Sequence, residues 1–158
     1  MDKLSPEYFG NKYLLSQPKV AFLAPEHVPL LAERPAYTWA ANVIANGLTI
    51  VSGYTAVIEK EIWDMVERDG GTMILVLVRA SFKNIPSKYL DLIAEGRLLI
   101  IFLGLSWRMS RGNVMIRDEY ICDLTDSIVF PSMNNESSLY PIYRQLIINN
   151  MKDVTVLI

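Results

Sequence analysis

Leu48-Thr49-Ile50-Val51-Ser52-Gly53-Tyr54-Thr55-Ala56 is the stretch that decides the fold of this 158-residue chain. Leu48 to Val51 is short, apolar and β-branched, which reads as a buried strand. Ser52-Gly53 breaks it. Beyond the break, Ile58, Ile62, Met65 and Val66 recur at helical spacing through the run from Val57 to Asp69. A strand, a tight small-residue turn and a helix make half of a βαβ unit. Backbone N–H groups at the start of such a helix favour an anion, usually a phosphate.

The same alternation extends in both directions. Lys19 to Ala24 reads as the first strand, stopped by Pro25, and a helix fills the second half of Val28 to Asn46 before the Asn46-Gly47 stop. After Asp69-Gly70-Gly71, Thr72 to Val78 is apolar throughout, as a parallel strand covered on both faces should be. A helix from Pro86-Ser87 to Glu95-Gly96 leads to a strand over Leu98 to Phe102. A helix over Gly112 to Leu124 precedes a strand over Ser127 to Phe130. Ser137 or Ser138 then caps a helix running to about Met151, and Val154 to Leu157 supplies a sixth strand. The pattern predicts an α/β, doubly wound, mainly parallel sheet of five to six strands in three layers. A 3-2-1-4-5 order, reversing beside the first strand, is expected. Residues 1–18 read as an N-terminal arm over a hydrophobic edge or a partner subunit, and residues 19–158 as a single domain.

Composition narrows the function classes. Hydrophobic residues make up 51% and charged residues 20%, an ordinary to slightly oily globular mixture. No apolar run reaches the roughly 18 residues of a membrane span, and Met1 to Glu7 lacks the apolar core of a signal peptide. A cytoplasmic location is the default expectation, with no membrane partner. The net charge of −2 argues against a protein that coats DNA through many phosphate contacts. One cysteine, Cys122, excludes an internal disulfide framework and a multi-cysteine metal site. One histidine, His27, leaves no His-based metal cluster, and no cofactor is expected.

The order of these pieces, from about Val20 to Leu146, resembles the Rossmann-like domain of the bacterial DNA-processing protein A family, which sits beside the lysine-decarboxylase-like proteins. That family's second strand runs into Ser-Gly-Gly/Leu-Ala-Arg-Gly-Ile-Asp. Here Ser52, Gly53 and Ile58 match and Glu59 keeps the acid, while Ala56 and Val57 replace the arginine and glycine. Gly70-Gly71-Thr72 resembles the family's Gly-Gly-x-Thr, and Ile85-Pro86 keeps the proline of its Tyr-Pro step. Val78-Arg79-Ala80 lacks the glycines of Gly-Cys-Gly, and Leu23-Ala24-Pro25 replaces the first strand's Gly-Ser/Ala-Arg. Arg117 to Asp126 resembles Arg-Asn-Arg-x-Ile-x-x-x-Ser-Asp in its first arginine and last aspartate, and Glu136-Ser137-Ser138-Leu139 resembles a Ser-Gly-Ser-Leu loop.

In open α/β sheets ligands bind outside the carboxyl ends of the strands. The loops predicted there carry Arg79, Lys83, Arg108 and Arg111, with Arg117 in the following helix, and basic residues on that edge suggest an anionic ligand. Solvated loop charges, or partners for Glu26 and Glu59, account for them about as well. The candidate ligand- and phosphate-binding residues are Ser52, Gly53, Tyr54, Arg79, Arg108, Arg111, Arg117, Asp118, Ser137 and Ser138. Ser137 and Ser138 equally suit simple helix caps. Trp107 is a candidate for stacking a nucleobase, or for a hydrophobic lid or dimer contact.

The expected function is a nucleotide- or phosphate-ligand-binding module, with weak single-stranded DNA binding as a further expectation of the resemblance. A phosphoribohydrolase-like enzyme using Glu59 or Glu136 is the alternative, although Phe130 to Asn135 holds no glycine where that signature requires Pro-Gly-Gly-x-Gly-Thr. A third reading is an interaction scaffold whose pocket is plugged by Tyr54, Val57 and Trp107. A homo-oligomer is expected from the oily composition and from Tyr8, Phe9, Tyr13, Leu14 and Leu15 of the arm.

Overall fold

The computed structural model describes residues 4–105 and 108–158. Among them a seven-stranded sheet carries helices on both faces. The strands are β1 (Glu7–Gly10), β2 (Lys19–Phe22), β3 (Thr49–Ser52), β4 (Thr72–Leu77), β5 (Leu98–Phe102), β6 (Ser127–Phe130) and β7 (Asp153–Val156). The helices are α1 (Glu33–Ala45), α2 (Val57–Arg68), α3 (Ser87–Ala94), α4 (Arg111–Leu124) and α5 (Tyr140–Asn149). The α/β, Rossmann-like, mainly parallel architecture expected from the sequence is present.

The strand order is β1-β5-β4-β3-β2-β6-β7. Two expectations need correction. The reversal does fall beside the Lys19 strand, but counted from that strand the parallel order is 4-3-2-1-5-6, not 3-2-1-4-5. β5 extends the first wing, pairing in parallel with β4 through Met73↔Leu98 to Leu77↔Phe102. Every residue of β5 is buried, so it requires cover on both flanks and both faces. The second flank explains the strand count: part of the arm, Glu7–Gly10, pairs antiparallel with β5 and adds a seventh strand at that edge.

The core divides by the period-two alternation of the strands. Phe22, Ile50, Met73, Leu75, Leu98 and Ile100 face one side, against Ala36, Ala40 and Val43 of α1, Ile58, Ile62 and Val66 of α2, and Leu92 of α3. Ala21, Val51, Ile74, Val76, Leu99, Ile101 and Ile128 face the other, against Ile121 and Cys122 of α4 and Ile142 of α5. Leu14, from a 3₁₀ turn over Lys12–Ser16, joins this second side.

α2 begins where Val57 was expected to start it. α5 begins later than expected, at Tyr140, because Ser137 Oγ accepts the Leu139 N–H and holds a preceding turn. Asn150, with φ +48°, ends α5.

Candidate functional site

β2 lies between β3 and β6, and the chain leaves it in opposite directions on the two sides. The crevice outside its carboxyl end is where an open α/β sheet accepts ligands. A cavity of about 650 Å³ occupies this place. Its wall is built from the segment after β2 (Leu23 to Val28), the start of α2, Ser138 and Leu139 after β6, and one face of α4 carrying Val114, Arg117 and Asp118.

Arg117 is the central cation. It is 4% exposed, although it lines the cavity. Its Nε and Nη2 both donate to Asp118 Oδ1 at 3.0 Å, and Nη1 makes a long 3.5 Å bond to Thr55 Oγ1. The guanidinium lies against Gly53, where an added Cβ would stand 2.5 Å from its central carbon. Gly53 is therefore a glycine because Arg117 packs on it. Burial pushes the Asp118 carboxyl up to about 6 from its ordinary 3.8, even with Arg117 drawing it down. Desolvation here outweighs the ion pair.

The helix start that the sequence marks for an anion already holds one. Glu59, 3% exposed, accepts the Ala24 N–H at 2.9 Å on Oε2, and the Thr55 and Ala56 N–H groups at 2.9 and 3.0 Å on Oε1. It thereby satisfies donors at the α2 start and ties the segment after β2 to that helix. Across the crevice, Ser138 donates its N–H at 3.2 Å and its hydroxyl to Glu26. The hydroxyl bond holds the Glu26 carboxyl below its usual value. Glu33 and Glu61 also line the cavity.

The structure brings together Arg117, Asp118 and Ser138 in this cavity. Arg111 lines an adjoining 250 Å³ cavity with Glu26, Asp118 and Ser138. Among the described residues, the other sequence candidates do not line the first cavity, although Gly53 backs the Arg117 guanidinium. Ser52 is fully buried, its Oγ accepting the Tyr54 N–H. Tyr54, at φ +51°, donates its hydroxyl to the Ile50 carbonyl and packs edge-on against Trp63. Gly53 and Tyr54 line a separate 510 Å³ cavity with Trp63 and Tyr89. Arg79 lies 4.3 Å over the Phe82 ring and donates to the Ala80 carbonyl. Arg108 is exposed. Ser137 is buried in the turn before α5. Trp107, the stacking candidate, lies outside the described residues.

Sequence reasoning missed the acidic character of the wall. The available signal was Ala56-x-x-Glu59, whose spacing puts a carboxylate on the N-terminal amides of its own helix. In the sequence Glu26 reads only as a possible ion-pair partner on this edge, and Glu33 and Glu61 carry no signal, because only the fold assembles them. Burial pushes the Cys122 thiol up to about 12, so it is no nucleophile at neutral pH. Among the described residues no cluster of His, Cys, Asp and Glu is arranged to hold a metal ion. No described helix is long and apolar enough to cross a membrane.

No family model matches the sequence, and no curated protein matches it. Solved structures do share the fold. DNA processing protein A from Helicobacter pylori, studied for its single-stranded DNA binding mode, superposes with a TM-score of 0.72 at 21% identity, over 96% of this chain and 70% of that one. DNA processing protein A from Streptococcus pneumoniae gives 0.72 at 20% identity, over 94% and 53%. This chain thus spans between about half and seven tenths of those chains. The molybdenum cofactor carrier protein from Chlamydomonas reinhardtii gives 0.55 at 16% identity, over 89% and 76%. The chain is similar in fold to both groups.

Proposed function

We propose that this protein binds a phosphorylated, hydroxyl-bearing small molecule of nucleotide type in the cavity at the strand-order reversal. One observation carries the reading: Arg117 is buried against Gly53 in the cavity wall, fixed on one side by Asp118, with Nη1 committed only to a long contact with Thr55. Burying a guanidinium is costly unless its donors find acceptors. A ligand phosphate or carbonyl supplies them. The 650 Å³ volume lies in the range of small-molecule sites. Glu33 and Glu61 on the wall suit ribose-type hydroxyls, which carboxylates accept. Fold neighbours are described as binding single-stranded DNA, a phosphate polymer, or as carrying the molybdenum cofactor.

Binding is the whole of the proposed activity. Glu59, one carboxylate available to a glycosidase reading, is engaged by three backbone donors and belongs to the scaffold. Glu136, the other, lies in the exposed loop before Ser137. Single-stranded DNA is the weaker ligand in this reading, since a strand binds through several phosphates, whereas among the described residues the cavity wall offers one guanidinium, Arg117.

Val57 allows a clean test. It lines the cavity yet is 74% exposed, so Val57→Trp narrows the mouth without disturbing the core. Calorimetric titration of the wild type with AMP and GMP is expected to show binding, and Val57→Trp to lose it at an unchanged melting temperature. Equal binding by both proteins would place the ligand elsewhere.

A further inference from the structure

Two carboxylates of this chain sit where an incoming anion would sit, and they are not alike. Glu59 is buried and takes three N–H groups from two loops. Removing it would undo the start of α2. Glu26 lies exposed on the segment after β2 and reaches over the crevice to the N–H and hydroxyl of Ser138, on the segment after β6. Its place on Ser138 can be given up to another anion without exposing any core.

The contact also divides the space. Glu26, Val114, Asp118, Ser138 and Leu139 line both the 650 Å³ cavity and the neighbouring 250 Å³ cavity. Arg117 faces the first and Arg111 the second. The Glu26–Ser138 bridge therefore stands in the partition between two chambers, each with its own guanidinium.

Building on the binding reading above, we propose that Glu26 is a displaceable stand-in for the ligand's phosphate, and that the Glu26–Ser138 bridge is a latch which that phosphate opens. With the latch closed, Ser138 spends its donors internally and a phosphate meets the Glu26 charge. When Glu26 swings out to solvent, the phosphate takes the Ser138 N–H and hydroxyl. The partition opens, and the anion comes between Arg111 and Arg117. A phosphate offers more acceptor oxygens and more charge than the carboxylate it replaces, and bonds between ionised partners are the strong ones. Only the phosphate-bearing part of the ligand is subject to this control. Apparent affinity is the intrinsic affinity multiplied by the fraction of molecules in which the subsite is open.

The test is a calorimetric titration of wild type, Glu26→Gln and Glu26→Ala with AMP, inorganic phosphate and adenosine. Both substitutions remove the competing charge at an exposed position, and the second serves if the first perturbs folding. AMP affinity is expected to rise about tenfold or more in both variants, the gain for a subsite closed roughly nine-tenths of the time. Adenosine affinity should change far less than AMP affinity. Adding Ser138→Ala to Glu26→Gln should remove most of the gain. AMP bound equally by wild type and both variants would overturn the latch while leaving the binding reading intact. AMP bound by none of the three proteins would overturn the binding reading, and the latch with it.

Discussion

A methyl group on Gly53 would meet the Arg117 guanidinium at 2.5 Å, so the guanidinium would have to shift. It is the far end of a long side chain, but its release would leave the buried Asp118 carboxylate without its partner. Gly53→Ala is therefore expected to cost about 1–3 kcal/mol in urea unfolding, the range for overpacking a well-filled site. It should weaken nucleotide binding as well. The glycine was visible in the sequence, but its reason was not. The sequence suggested close approach of a phosphate, whereas the group that approaches is an arginine from a helix far along the chain.

Asp118 makes stability depend on pH in an unusual direction. Its folded value of about 6 lies above the ordinary 3.8, so the folded protein holds the proton more tightly between those values. Stability from this group is fully present below about pH 3.8 and falls as pH rises through about 6. At about 1.4 kcal/mol per unit, the full span is at most about 3 kcal/mol. Asp118→Asn keeps an oxygen for the arginine and removes the titration. Subtracting its unfolding free energies from those of the wild type, between pH 4 and 7, should expose this downward slope. A flat difference would show that the buried pair does not titrate in that window.

At the scale of elements, the sequence placed β5 and β6 at their observed bounds because Leu98 to Phe102 and Ile128 to Phe130 are apolar runs set off by polar and turn residues. β1 escaped because nothing in Glu7-Tyr8-Phe9-Gly10 alternates: all four residues are exposed, and only pairing with β5 makes them a strand. The cations that finish two helices were equally hidden. Arg97 donates to the Val66 and Glu67 carbonyls at the end of α2, and Lys152 to the Cys122, Asp123 and Thr125 carbonyls at the end of α4. Each comes from a later segment, so no local pattern announces it. β1 depends on Gly10, which has φ +117° and whose missing Cβ would collide with the Leu98 carbonyl oxygen. Gly10→Ala should therefore detach the strand, at a cost of about 1–3 kcal/mol for the forced backbone. Faster amide exchange along the outer edge of β5, relative to β4, is the measurement that identifies the element lost.

At the scale of the whole molecule, apolar surface is left uncovered at both edges of the sheet. The arm buries less of the problem than its composition suggested: Leu14 is in the core, but Tyr8, Phe9 and Tyr13 remain exposed. The opposite edge of the sheet is more demanding. Among the described residues β7 is hydrogen-bonded on one side only, to β6. Near it in sequence, Ile147 and Ile148 at the end of α5 are exposed, as are Met151, at 87%, and Ile158. An edge strand with bare backbone groups invites a second strand, and adjacent apolar side chains add a hydrophobic contribution to the same encounter. A net charge of −2 offers little repulsion between copies. Two chains related by a two-fold axis can satisfy one patch with the same patch, whereas an unlike contact would continue into an open assembly. Light scattering at tens of micromolar should accordingly give the mass of a dimer. The double variant Ile148→Asp, Met151→Asp should give a monomer with an unchanged melting temperature, since both side chains already lie in solvent. A wild-type monomer at that concentration would show that this edge stays open. A variant that remains dimeric would move the interface to the exposed aromatic residues of the β1 edge.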